Sequence, residues 1–249
     1  MKVLAIANQK GGVGKSTLAV HLAWRAQEQG LRTLLVDLDG QANSTHTFVE
    51  QASGVTASQL FRPPCPEAPT VVGDNLALVA ADIGTNDVEG LPLDTIQYPA
   101  QYLRQFREQF DLCIIDTPPN LGRRLLAALI AADAVVSPMA INGYSIDGIT
   151  DLQKTIIAVK NKYNPRLRNL GILPNLVNHR SQSQSSNLSQ LRAALGDRVL
   201  PFELTHRVAV SDAIDAGHPV WRKCKGQSGR KAGKEMKAVV KKIIGEVMA

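Results

Sequence analysis

Cysteine is scarce: Cys65, Cys113 and Cys224 are odd in number, far apart, and form no C-x-x-C pair. That spacing excludes a disulfide framework and a zinc knuckle, and it fits a reducing cytoplasm. The five histidines contain no H-E-x-x-H metal motif. No run of 18 apolar residues occurs, so a transmembrane helix is not expected. The first residues, MKVLAIANQKGG, hold one lysine and a short apolar run but no small-residue cleavage site. They read as a first strand rather than a signal peptide. Internal repeats and long low-complexity tracts are absent.

What is present is an ordinary globular mixture, 44% hydrophobic and 20% charged over 249 residues. This length fits one α/β domain across residues 1–249, able to bury roughly 70–75% of its unfolded surface without a covalent staple. The net charge of +6 is uneven. Residues 217–249 carry nine basic side chains and two acidic ones, which leaves the body close to neutral. A basic end on a neutral body points to nucleic acid or a membrane surface, or else to a solvated helix that keeps the protein soluble.

Apolar runs alternate with helical spacing along the chain. Strands are expected at residues 3–7, 33–37, 76–80, 112–115, 134–136 and 170–173, and helices at 16–29, 102–110, 125–132, 149–162 and 188–195. That order implies a parallel central sheet covered by helices on both faces. Residues 62–69 hold four prolines and read as a loop. The Ser/Gln-rich stretch 181–189 reads as a mobile loop, and 226–233, with three glycines, as a flexible joint. After it, Met236, Val239, Val240, Ile243, Ile244, Val247 and Met248 recur at helical spacing opposite a lysine face. Such a helix either docks on the body or lies on a membrane, and its apolar face lacks Trp and Phe.

The chemistry concentrates in Gln9-Lys10-Gly11-Gly12-Val13-Gly14-Lys15-Ser16-Thr17, between a strand and a helix. Glycines let successive N–H groups curl around an anion, and the helix N-terminus adds its dipole. Lys15 brings a charge to the β and γ phosphates, and the Ser16 hydroxyl suits Mg²⁺. Gln9 replaces the usual first glycine and Lys10 is an added lysine, so the phosphate loop is deviant. Asp116 ends the strand LCIID, where it can hold Mg²⁺ through a water. Asp39, in VDLDGQAN, can orient a water for attack on the γ-phosphate. Thr117, Pro118 and Pro119 form a stiff turn placed to act as a switch.

KGGVGKST, LLVDLDGQANST, LCIIDTPP and LLAALIAADAVVSP, taken together, resemble the ParA/MinD group of deviant Walker A P-loop ATPases. The likeness covers nearly the whole chain and looks most like a short-form ParA-type partition ATPase. With the phosphate loop inside the first ten or so residues, the N-terminal helix-turn-helix of longer relatives, and operator-specific autorepression, are not expected. The resemblance implies ATP and Mg²⁺ as cofactors and an ATP-dependent sandwich homodimer. It makes Lys10 the signature lysine that reaches the partner's phosphates, Gly11 a point of close subunit approach, and Asp39 the hydrolytic carboxylate. Asn175 matches the position that recognises adenine, and Pro201 and Phe202 are placed to flank the ring. In DPQGN the family's Pro and Gly are Gly40 and Ala42 here, which is expected to loosen the first switch loop, and the serine after the double proline is Asn120.

The resemblance further implies non-specific double-stranded DNA as a partner, bound through Arg207, Arg222, Lys223, Lys225, Arg230 and Lys231. It implies a ParB-like centromere-binding adaptor that stimulates slow hydrolysis, and a cytoplasmic, nucleoid-associated location. The competing reading is a MinD-like positioning ATPase that binds membrane through its final helix. A metabolic P-loop enzyme or an iron–sulfur carrier is a third reading, which Cys113 inside the Walker B strand does not suit.

Overall fold

The computed structural model describes residues 1–63, 68–141 and 145–249, the side chains of 145–149 excepted. Cys65 and half of the proline-rich stretch 62–69 lie outside the described residues. Seven strands make one sheet: β1 (Lys2–Ile6), β2 (Thr33–Asp37), β3 (Thr70–Gly73), β4 (Leu76–Val79), β5 (Leu112–Asp116), β6 (Ala134–Ala140) and β7 (Arg168–Asn175), in the order β3-β4-β2-β5-β1-β6-β7. All pairs are parallel except β3 with β4. The antiparallel edge strand β3 was not legible in the sequence, because it is only four residues long and half exposed.

Eight helices connect the strands among the described residues: α1 (Lys15–Glu28), α2 (Asn43–Phe48), α3 (Tyr98–Gln105), α4 (Arg123–Ala131), α5 (Ser145–Lys162), α6 (Gln182–Leu195), α7 (Val208–Asp215) and α8 (Gly226–Met248). Leu18 and Leu22 of α1 join Val239, Val240 and Ile243 of α8 on one face of the sheet. Tyr102 and Leu103 of α3, Leu125 and Leu129 of α4, Leu152 of α5 and Leu188 of α6 cover the other. The five-residue strands β1, β2 and β5 are apolar almost throughout because both faces of the sheet are buried. At their C-terminal ends, the usual ligand edge of a parallel sheet, lie Asp116 as the last residue of β5, Asp39 just past β2, and the loop from β1 to Lys15 at the start of α1.

Three expectations are corrected. Residues 181–189 are not a loop but the start of α6, whose N-terminus is capped by Ser181 accepting from the Gln184 amide. Only Leu188 and Leu191 of that helix are buried, so its Ser and Gln face concealed the period. Residues 226–233 are not a joint but the first two turns of α8. Gly233 serves close packing there, since a Cβ would lie 2.8 Å from Trp221 Cα. The helix expected at 102–110 begins at Tyr98 and ends at Gln105, with Pro99 in its first turn.

Candidate nucleotide site and basic groove

The loop between β1 and α1 is shaped by its own side chains. Asn8 Nδ2 donates to the Pro138 carbonyl (2.7 Å), and the Lys10 amide donates to Asn8 Oδ1 (2.9 Å). Gly12 (φ 70°) and Gly14 (φ 86°) take left-handed backbone, which glycine adopts without strain. At Gly14 a Cβ would also overlap the Asn175 amide. No side chain caps the N-terminus of α1, so its first N–H groups are open to an anion. Lys15 Nζ donates to the Lys10 carbonyl (3.2 Å) and is 6% exposed. Val13 is buried instead, and its carbonyl accepts from Asn175 Nδ2 at 2.7 Å.

Gly11, Gly12, Gly14, Lys15, Ser16, Thr17, Asp39, Pro119 and Asn175 line one cavity of about 670 Å³, a size suited to a nucleotide. Its far wall is apolar: Leu176 and Leu204 with Val210 and Ile214 of α7 and Met236 of α8. That wall was missed at the sequence level, because α7 offers one short turn pattern and no motif.

The acids meet where the sequence placed them. Asp37 and Asp116 are register partners across β2 and β5. Asp37 accepts the Thr45 amide and hydroxyl (both 2.8 Å) and the Asp39 amide (3.1 Å). Burial, and then the charge of Asp116, push the Asp37 carboxyl well above the usual range. Burial does the same to Asp116, against the pull of the Ser16 and Ser44 hydroxyls and of Lys15. Burial likewise lowers Lys15, against the attraction of Asp116 and Asp39. Asp116 Oδ2 accepts from Ser44 Oγ (2.7 Å), while Oδ1 is buried without a hydrogen-bond partner. A buried, unsatisfied carboxylate oxygen beside the Ser16 hydroxyl suits a hydrated divalent cation, so the donor set fits Mg²⁺. Thr117 is tied back to β1 through Oγ1 and the Ile6 carbonyl (2.7 Å), and Pro118 is buried, whereas Pro119 faces the cavity.

A second groove, of about 700 Å³, lies beside the first and shares Thr205, His206 and Arg207 with it. Lys225 and Lys231 line it, together with His179 and Arg180, which the sequence did not single out. The other predicted cations stand apart from it: Arg222 is bonded to Glu28 (3.1 Å), and Lys223 and Arg230 are exposed outside the groove.

Residues 1–169 match the AAA domain family. The chain is 40% identical over 249 residues to protein IncC of Escherichia coli, covering 96% of this chain and 68% of that one. It is 34% identical to the chromosome-partitioning ATPase Soj of Thermus thermophilus, over 87% of this chain and 86% of that one. This chain belongs to the ParA/Soj/IncC family of partition ATPases. Its fold also matches cobyrinic acid a,c-diamide synthase from Mycobacterium smegmatis, solved with bound ADP and magnesium, at TM-score 0.75 and 29% identity over 87% of this chain and 93% of that one.

One expectation drawn from the partition-ATPase family is altered by the geometry. Pro201 and Phe202 do not line the cavity. The Leu200 amide bonds to the Ile172 carbonyl and the Leu204 amide to that of Pro174, so the segment runs beside β7 and reaches the ligand edge only at Leu204–Arg207. Phe202 packs on the α1/α8 side of the core, under Lys242 Nζ. Local hydrogen bonds run through the first switch loop around Gly40 and Ala42. Asp39 Oδ1 accepts from the Gln41 amide, the Ala42 amide donates to the Asp39 carbonyl, and Thr45 is bound to Asp37. Ala42 itself takes φ 54°, the left-handed conformation for which the family's glycine is suited.

Proposed function

We propose that this chain is an ATP-hydrolysing partition switch. Bound to ATP and Mg²⁺ it forms a homodimer that holds double-stranded DNA without reading sequence, and it releases the DNA on hydrolysis stimulated by a ParB-like adaptor. The observation that carries this reading is the wall shared by the two clefts. Thr205, His206 and Arg207 face both the phosphate-loop cavity and the basic groove, so nucleotide and DNA phosphate would meet opposite sides of one short segment.

The residues divide the work. The open N–H groups of Gly11–Thr17 and the Lys15 ammonium bind the phosphates. Ser16 and Asp116 would hold Mg²⁺, which supplies charge neutralisation at the β and γ phosphates. Asp39, 8% exposed at the cavity rim, orients the attacking water and takes its proton. Lys10 would reach the partner's phosphates in the dimer and stabilise charge as it develops. Asn175 braces the phosphate loop from the end of β7, while Arg207, Lys225 and Lys231, with Arg222, Lys223 and Arg230 on the adjoining surface, supply phosphate contacts. The protein would then sit in the cytoplasm on the nucleoid, with a plasmid, a chromosome region or another body as cargo.

The membrane reading is less well supported. Met236, Val239, Val240, Ile243, Ile244 and Val247 are all buried in the core, which leaves α8 no apolar face for lipid. Among the described residues no helix is long and apolar enough to cross a membrane.

Light scattering and phosphate release test the switch. The expected results are a monomer without nucleotide, an ATP-trapped dimer for Asp39→Ala with hydrolysis abolished, and neither dimer nor hydrolysis for Lys15→Ala. Normal ATP affinity in Lys15→Ala, or unchanged hydrolysis in Asp39→Ala, contradicts the assignment.

A further inference from the structure

Between β4 and α3 lie three short 3-10 turns, Ile83–Thr85, Asp87–Gly90 and Leu93–Gln97. The first is braced: Asp82 accepts from Ser58 Oγ and Thr85 Oγ1, both at 2.6 Å, and Val88 is fully buried. From this base two side chains reach the loops that follow Asp39 and Asp116. Asn86 lies against Gly40, directly after Asp39, and a Cβ at Gly40 would overlap its amide. Glu89 lies against Gly122, at the end of the loop that follows Asp116, and a Cβ there would overlap its carboxylate. Each loop thus carries a glycine where these turns press on it. Neither glycine has a left-handed backbone, so close approach, not conformation, is what requires them.

Arg124, in the first turn of α4, joins the two contacts. Its guanidinium is 6% exposed and donates through Nε to Glu89 Oε1 (2.9 Å). Through Nη1 it donates to Asn86 Oδ1 (3.2 Å) and to the Leu38 carbonyl (3.1 Å), the peptide oxygen immediately before Asp39. Glu89 also accepts the Arg123 amide (2.6 Å) at the start of α4, where a carboxylate is favoured by the helix dipole. A buried guanidinium is held in place by these acceptors, because burying it without a carboxylate partner is strongly unfavourable.

We propose that Asn86, Glu89 and Arg124 form a clamp that fixes both loops, with Arg124 and Asn86 acting as positioning residues for Asp39. The clamp touches the backbone around Asp39, and none of its three side chains lines the nucleotide cavity. It therefore governs the hydrolytic step and leaves ATP affinity alone. The proposal rests on Asp39 being the hydrolytic carboxylate.

The test uses the full chain with Asn86→Ala, Gly40→Ala, the double variant, and Asp39→Ala. Asn86 is exposed, so its truncation opens no core cavity. Hydrolysis at saturating ATP is compared with ATP affinity from titration. The expected result is a kcat about ten-fold lower for Asn86→Ala, with Kd for ATP within about two-fold. Gly40→Ala lowers kcat in the same way, and the double variant is no slower than the slower single one, since both act through one contact. Wild-type kcat in Asn86→Ala beside an inactive Asp39→Ala overturns the clamp alone. Full activity in Asp39→Ala overturns the clamp together with the role of Asp39. Multiplying effects of the two single variants also overturn it.

Discussion

Asn175 Nδ2 donates to the Val13 carbonyl over 2.7 Å, and Asn175 Oδ1 accepts the Leu176 amide. The end of β7 is thereby pinned to the phosphate loop, 162 residues away in sequence. The side chain is 4% exposed, and a buried hydrogen bond of this kind contributes about 1 kcal/mol, with a further penalty when one partner is left alone. Asn175→Ala should therefore weaken ATP and GTP alike, by about ten-fold. A selective loss of ATP, measured by nucleotide titration, would instead make the amide a reader of the base.

Ala42 occupies left-handed backbone, φ 54° and ψ 28°, at a cost of about 1 kcal/mol that glycine avoids. Ala42→Gly should raise stability by about that amount in chemical unfolding. A loss of stability would mean that the Ala42 methyl makes a contact worth more than the strain.

His21 sets a pH dependence. It is fully buried in α1, with Nδ1 on the Thr17 carbonyl (2.7 Å) and Nε2 accepting the Val220 amide (3.2 Å). These partners require the neutral tautomer protonated on Nδ1. Burial lowers its pKa to about 4, against about 6.5 in an unfolded chain. Between those values the unfolded chain binds a proton that the folded one refuses, so stability falls as pH is lowered through this window. From pH 7 to 4.5 the loss attributable to His21 is about 2–3 kcal/mol. Urea unfolding of His21→Gln should show a correspondingly shallower loss, and equal losses in both proteins would remove His21 from this role.

The docked face of α8 makes a packing prediction. Ile243 is 1% exposed while Lys241, two residues before it, is on the surface. Ile243→Ala should cost about 2–5 kcal/mol and Lys241→Ala less than about 0.5 kcal/mol. Truncation before Met236 should yield an insoluble chain. A soluble truncated protein that has lost only liposome binding would restore the membrane reading.

Much of this arrangement was legible because its signals are local. A glycine loop between an apolar strand and a helix, and acids at strand ends, located Lys15, Asp39 and Asp116 before any contact was known. The parallel sheet followed from alternating apolar runs, and β2 falls on the residues expected. What stayed hidden depends on distant packing. The glycines of α8 read as flexibility, yet Gly233 is there to let the helix pass close to Trp221. The family resemblance makes Asn175 a base contact, and its bond to Val13 is visible only in the fold. The apolar cavity wall from α7, the groove residues His179 and Arg180, and the contact of Asn86 with Gly40 join segments that no single window of sequence contains.

Binding to random-sequence duplex DNA, measured with ATP, with ADP and without nucleotide across a salt series, tests the DNA-tethered switch most directly. Binding is predicted with ATP alone. It should weaken steeply as salt rises, and removing Arg207, Lys225 or Lys231 should each flatten the salt slope by about one. Equal binding in all three nucleotide states, or none in any, would contradict a DNA-tethered switch.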